Sequence, residues 1–229
     1  MNRGCKKNNY QKELEKVISV HEKAGEIPTL LMHSCCAPCS SYCLEYLSQY
    51  FLITIFYYNP NISNIEEYKK RVAEQQRLIK ELPVKHEISF IEGEYNPSIF
   101  FDTIKGYENI PEGGERCFRC YELRIRECGR LAKEKGFDYF TTTLSISPLK
   151  NAQKLNEIGR EMSKEFEVKY LYSDFKKKEG YKRSIMLSQE YNLYRQNYCG
   201  CIFSKKEQEE REKNKEKNCA NYTKKNREI

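Results

Sequence analysis

The stretch Thr29–Cys43, TLLMHSCCAPCSSYC, decides how the chain is read. A short apolar run, Leu30, Leu31 and Met32, ends in His33-Ser34 and opens into Cys35, Cys36 and Cys39 around Pro38, ahead of a helix-like segment. Open α/β folds place their ligands at such a point, because side chains at the carboxyl end of a buried strand face a crevice and a helix N-terminus. A lone cysteine is usually a small core hydrophobe. Three together at a strand end point instead to soft-metal chemistry.

Working outward, strands and helices alternate. Upstream, Leu14, Val17, Ile18 and Val20 recur at near-helical spacing between Asn9 and Ala24 and predict a leading amphipathic helix, stopped by Gly25 and Pro28. Downstream, Ser40–Tyr50 predicts a helix with Cys43, Leu44 and Leu47 inside, Cys43 being read as core. Further strands are predicted at Phe51–Tyr58, closed by Asn59-Pro60-Asn61, and at Ile88–Ile91, Phe137–Ile146 and Val168–Tyr172. Helices are predicted at Ile65–Leu82, Tyr121–Lys135, Asn151–Phe166 and Gly180–Tyr194, and the Gly- and Pro-rich segment Gly93–Glu115 as a helix flanked by a mobile loop. The pattern specifies an α/β fold, a parallel doubly wound sheet with flanking helices in a single domain. Its parts are an N-terminal helical extension, 1–28, a catalytic α/β domain, 29–204, and a charged C-terminal tail, 205–229, read as a solvated helix or a disordered segment.

With 229 residues the chain suffices for one sizeable core. The 40 Lys and Arg against 33 Asp and Glu, a net charge of +7, suit a polyanionic partner such as RNA without requiring one. The charged opening Met1–Lys7, with no apolar signal core or membrane-length run, leads us to expect a cytoplasmic protein with no membrane partner. In that reducing compartment clustered cysteines bind metal or do redox work rather than staple the fold.

Seven of the eleven cysteines fall in three groups: Cys35, Cys36 and Cys39; Cys117 and Cys120; Cys199 and Cys201. A structural zinc would use four and leave others idle. A [4Fe-4S] cluster also takes four thiolates, and the adjacent pair Cys35-Cys36, awkward for one tetrahedral ion, can serve different irons. For Cys199-Gly200-Cys201 two readings stand, a strained and easily reduced disulfide relay or part of the metal site. The hydroxyl run Thr141–Thr143 with Ser145 and Ser147 reads either as a phosphate or ribose contact or as a good strand. Asp174 with Lys176, Lys177 and Lys178, followed by Tyr181 and Arg183, is a basic strip with an aromatic that would suit RNA, or a solvated face.

As a set, LLMHSCCAPCSSYCLEYL, FYYNPNI followed by EYKKR, PEGGERCFRCYELR, FTTTLSISPLKNA, SDFKKKEGYKRS and EYNLYRQNYCGCIFS resemble the cobalamin-independent epoxyqueuosine reductases of the QueH family over most of Thr29–Ser204. The resemblance implies a nucleotide alpha-hydrolase-like (HUP-like) fold and the last step of queuosine biosynthesis. That step removes the epoxide oxygen of epoxyqueuosine reductively at the wobble position of tRNA. It further implies Cys35, Cys36, Cys117 and Cys120 as ligands of a [4Fe-4S] cluster, Cys39 at an adjacent mononuclear iron, with Cys199 or Cys201 as possible co-ligands, and Cys199 and Cys201 as a possible redox-active pair. No cobalamin is expected, and no GxGxxG nicotinamide or flavin fingerprint is present, so electrons are expected from an external donor. Glu115, Asp174 and Tyr181 are the expected proton donors, Phe118, Tyr181 and Tyr198 the expected stacking surfaces, and Lys176–Lys178 the expected phosphate contacts. The competing classes are a zinc-stabilised RNA-binding module and another tRNA-modifying metalloenzyme. An ATP-using relative would need a pyrophosphatase-type Gly/Ser loop where this chain has Ser34-Cys35-Cys36-Ala37-Pro38.

Overall fold

The computed structural model describes residues 8–225, with side-chain surroundings up to residue 215. The charged opening Met1–Lys7 and the last residues of the expected tail, 226–229, lie outside the described residues. Five parallel strands, β1 (Thr29–His33), β2 (Leu52–Tyr57), β3 (Ser89–Glu92), β4 (Tyr139–Thr142) and β5 (Lys169–Tyr170), form one sheet in the order β3-β2-β1-β4-β5. Eight helices accompany them among the described residues: α1 (Tyr10–Ala24), α2 (Ala37–Leu47), α3 (Ile65–Glu81), α4 (Pro97–Thr103), α5 (Glu115–Lys135), α6 (Ala152–Phe166), α7 (Gly180–Glu190) and α8 (Ile202–Lys225). The expected parallel doubly wound α/β architecture is what the chain adopts.

Alternation along β1 divides the core. Leu30 and Met32 pack on one face of the sheet with Leu14 and Ile18 of α1, Leu44 and Leu47 of α2 and Leu78 of α3. Leu31 faces the other side, with Ile125 and Cys128 of α5 and Leu155, Ile158 and Met162 of α6. Cys43 is fully buried in the first of these clusters, as its core reading required. Asparagines start four of the helices: the side chains of Asn9, Asn64, Asn96 and Asn151 accept from the backbone N–H of Lys12, Glu67, Ser98 and Lys154.

Three boundaries differ from expectation for local reasons. β4 stops at Thr142 and passes into a 3-10 turn, Thr143–Ile146, because the Thr142 hydroxyl accepts the Leu144 N–H at 3.2 Å in place of a ladder bond. α2 begins at Ala37, Pro38 being well suited to a first helical turn. α5 begins at Glu115, so Cys117 and Cys120 lie inside the helix rather than ahead of it.

Candidate metal and redox centre

The strand order reverses between β1 and β4, and there the loops leaving the two carboxyl ends part and open a crevice. A cavity of about 310 Å³ lies in it, lined by Cys35, Cys36 and Cys39 from the β1–α2 turn, Ser147–Lys150 from beyond β4, and Tyr181, Tyr198 and Cys199. Next to it a small cavity of about 20 Å³ is lined by Cys117, Cys120, Cys199 and Cys201 with Asn61, Arg116 and Arg124. Glu112, Lys150 and Cys199 line both. All seven grouped cysteines thus converge on two adjoining cavities, while the larger clefts at Gln76–Phe90 and around Tyr10 contain none.

Local geometry makes each cysteine group. Cys36 is the N-cap of α2, with extended backbone, and Cys39 falls in the first turn, a spacing that turns N-cap and N3 side chains toward each other. The sulfurs of Cys35, Cys36 and Cys39 lie within 4.8 Å of one another, the first two 3.8 Å apart. Hydrogen bonds from Cys35 and Cys39, helped by Arg71, hold Cys36 well below the ordinary thiol range, whereas the contact with Cys36 pushes Cys35 up and the contacts with Cys35 and Cys36 push Cys39 up. Without metal, this triad favours one thiolate with two thiols directed at it. Cys117 and Cys120 stand three residues apart near the start of α5, on one face, and the Gly113 N–H donates to the Cys117 sulfur at 3.3 Å. Burial pushes the Cys120 thiol up to about 12.

The Cys199-Gly200-Cys201 turn is docked by its backbone. Gly200 has φ +121°, a conformation closed to other residues, and a Cβ there would come within 2.9 Å of Ile62 and 3.2 Å of Arg71. The Ser63 N–H donates to the Gly200 carbonyl at 3.2 Å, and Arg71 to the Cys199 carbonyl at the same distance. Both cysteines are free thiols, as are all nine described cysteines.

Cations surround these thiols from behind. Arg71, Arg116 and Arg124 are each no more than 3% exposed, and Lys150 is half-buried between Cys199, Cys35 and Cys39, whose charge raises its pKa against the cost of burial. Arg71 pairs with Glu67 and Arg116 with Glu207, both at 2.7 Å. Even so, Arg71 Nη2, Arg116 Nε and Arg124 Nη2 have no acceptor, and Asn61 Oδ1 no donor. Buried polar atoms without partners are uncommon, and each calls for an explanation in the form of a missing group. Thiols and orphaned cationic donors around a cavity form a donor set suited to an anionic, sulfur-ligated metal group.

Beneath the triad, His33 is fully buried. Its Nε2 lies 3.1 Å from the Tyr58 carbonyl and must donate, so Nδ1 accepts from the Thr142 hydroxyl at 2.9 Å. Burial, reinforced by Arg124, pushes its pKa down to about 3, so it stays neutral. Asn59 donates to the Ser34 carbonyl at 2.8 Å, so the turn after β2 builds a wall of the site. Most of the hydroxyl run is committed internally: Thr141 to the Leu171 carbonyl, Thr142 to His33, Thr143 to the Cys35 N–H and Ser145 to Ser173. Ser147 alone of that run lines the pocket.

The other expected site residues divide. Tyr181 and Tyr198 line the pocket; Phe118 does not, and lies under Lys154. Glu115 is exposed near Arg119, and Asp174 binds Lys176 at 2.8 Å away from the pocket. Of the basic strip, Lys178 pairs with Glu15 and Arg183 with Glu45, leaving Lys177 outside any ion pair among the described residues. Residues that reading the sequence did not single out are Arg71, Glu112, Arg116, Arg124, Lys150 and Arg211. Arg124 was legible in one respect: it falls four residues after Cys120, on the same helix face.

This geometry defines an α/β protein with a thiol-built centre at the switch point of a doubly wound sheet. The family described as "Epoxyqueuosine reductase QueH" matches residues 30–207. Curated proteins of that name are similar over most of the chain. The Staphylococcus epidermidis protein is 46% identical over 202 residues, 86% of this chain and 85% of its own, and the Streptococcus pyogenes protein 43% over 204 residues, 88% and 80%. The Thermotoga maritima protein is 33% identical over 189 residues, 80% of this chain and 93% of its own. The chain belongs to the QueH family of epoxyqueuosine reductases, and with it to the oxidoreductases of queuosine biosynthesis. No helix among the described residues is long and apolar enough to cross a membrane.

Proposed function

We propose that this chain reduces epoxyqueuosine to queuosine at the wobble position of tRNA, in the cytoplasm, using an iron-sulfur centre held by the converging cysteines and no cobalamin. The single observation that carries this reading is the convergence of seven thiols with Arg116, Arg124 and Lys150 on two adjoining cavities at the switch point. Cys35, Cys36, Cys117 and Cys120 would hold a [4Fe-4S] cluster, and Cys39, with Cys199 or Cys201, an adjacent iron. When bound, these groups would supply one-electron transfer from an external donor and Lewis acidity toward the epoxide. Converting an epoxide to an alkene consumes two electrons and two protons and releases water.

The chain's own residues bind and orient. Tyr181 and Tyr198 flank the pocket mouth, where an unstacked base can lie against them, and Arg195 and Arg211 at the same mouth can meet phosphate. Lys176, Lys177, Lys178 and Arg183 belong to the neighbouring surface, where Lys177 is available at once and the others exchange a carboxylate for a phosphate. Tyr181, at the pocket, is better placed to deliver a proton than Glu115 or Asp174.

Anaerobic purification with iron and sulfide analysis, followed by turnover on epoxyqueuosine-containing tRNA, tests the proposal. A brown protein with about four or five irons that bleaches with dithionite and forms queuosine is the expected result. A colourless protein with one stoichiometric zinc and no turnover would instead indicate a zinc-stabilised RNA-binding module.

A further inference from the structure

We propose that Arg124 is the fixed counter-charge of the cysteine centre, a positioning residue that favours its anionic metal-bound form and makes it easier to reduce; the inference rests on the iron-sulfur reading above. Arg124 is 1% exposed. Its Nε donates to the Cys120 carbonyl at 3.1 Å and its Nη1 approaches Asn59 Oδ1 at 3.5 Å, while Nη2 has no partner. It lines the small cavity with Cys117, Cys120, Cys199 and Cys201.

The other buried guanidinium groups show what is unusual about it. Arg71 and Arg116 each face a carboxylate at 2.7 Å, whereas Arg124 forms no ion pair with any carboxylate among the described residues. Glu112 also reaches the cavity, but its carboxylate faces Arg211 at 3.5 Å. A guanidinium does not give up its proton, and a buried charge without a counter-charge is strongly unfavourable. The remaining groups there able to carry negative charge are the thiols and the Tyr121 phenol, and burial pushes the phenol's pKa up so that it stays neutral, so the arrangement is balanced when sulfur and metal bring a net negative group. A fixed cation beside such a group favours the state with one more electron, because reduction adds negative charge next to it. The Nε contact ties the cation to the backbone of Cys120 and keeps it within reach of the centre.

The test compares wild type, Arg124→Gln and Arg124→Lys, each purified and reconstituted anaerobically with iron and sulfide, by metal content and by a spectroscopic redox titration. Arg124→Gln is expected either to lose iron while keeping a native circular-dichroism spectrum or to keep it with the reduced form disfavoured at least tenfold, a fall of about 59 mV for one electron. Arg124→Lys, which retains the charge, should lie close to wild type in both. An Arg124→Gln protein with full iron and an unmoved potential overturns the proposal, as do equal shifts in the Gln and Lys variants. Should Arg124→Gln fail to fold, Arg124→Met is read by the same criteria. A wild-type protein holding one zinc and no iron overturns the iron-sulfur reading but not this inference, which is then read from zinc affinity. A tenfold loss in Arg124→Gln with Arg124→Lys unchanged supports it, and equal affinities in all three overturn it.

Discussion

The cations inside the molecule and those on its surface strip are arranged by different rules. At the switch point Arg71, Arg116 and Arg124 are buried, each with a guanidinium nitrogen left without an acceptor. Along residues 176–183, Lys176, Lys178, Lys182 and Arg183 are each paired with a carboxylate. Surface pairs of this kind form and dissolve at little cost. Orphaned donors in the interior are tolerated only where something else balances them. The contrast identifies which positive charge is built for a resident anion and which is open to exchange with a passing one.

The comparison breaks most sharply at the sulfurs. Cys36→Ala removes the thiol held lowest in the triad and should cost roughly a hundredfold or more in turnover together with bound iron, measured by product formation and metal analysis. A variant that kept both would remove the triad from the centre. Next, Arg71→Met leaves Glu67 with only the Tyr194 hydroxyl as a partner and unclamps the Cys199 carbonyl, so a loss of about 3 kcal/mol is expected in denaturant unfolding. Gly200→Ala must occupy a strained backbone region and press on Ile62, for about 1–3 kcal/mol and a displaced Cys199-Cys201 turn, measured by the same unfolding and by thiol reactivity.

Acid sharpens the comparison further. His33, whose folded pKa is about 3 against about 6.5 in the unfolded chain, contributes stability that is fully present above pH 6.5. That contribution is lost as pH falls toward 3, at up to about 1.4 kcal/mol per unit. His33→Asn should flatten the acid limb of the stability curve over that window, and an unchanged limb would show that another group governs it. The smallest effect belongs to the surface. Charge reversal at Lys177 should weaken tRNA binding a few-fold and lower its salt slope by about one, more than reversal at Lys178, whose charge is already engaged by Glu15. Equal, negligible effects would place the strip outside the interface.

How far the sequence could be read depended on the range of the interaction involved. The helix of Ile65–Leu82 and the strand after Pro28 were legible because apolar periodicity and turn residues act locally. The Thr run was not, because its β propensity concealed a hydroxyl that caps a 3-10 turn and another that meets Cys35 across the crevice. The basic strip looked like one surface in sequence, yet Glu15 and Glu45 come to it from other helices and take up part of its charge.

The sequence by itself determined the alternation of strands and helices and the local grouping of Cys35, Cys36 and Cys39 and of Cys117 and Cys120, since these relations are carried by neighbouring residues. Only the tertiary structure decided that three cysteine groups share adjoining cavities, that Glu112 and Arg211 stand at the pocket, and that Arg124 turns inward without a carboxylate. The reason is physical: whether a charge can be buried depends on what distant segments bring opposite it, and strand order, which no local pattern encodes, sets those neighbours.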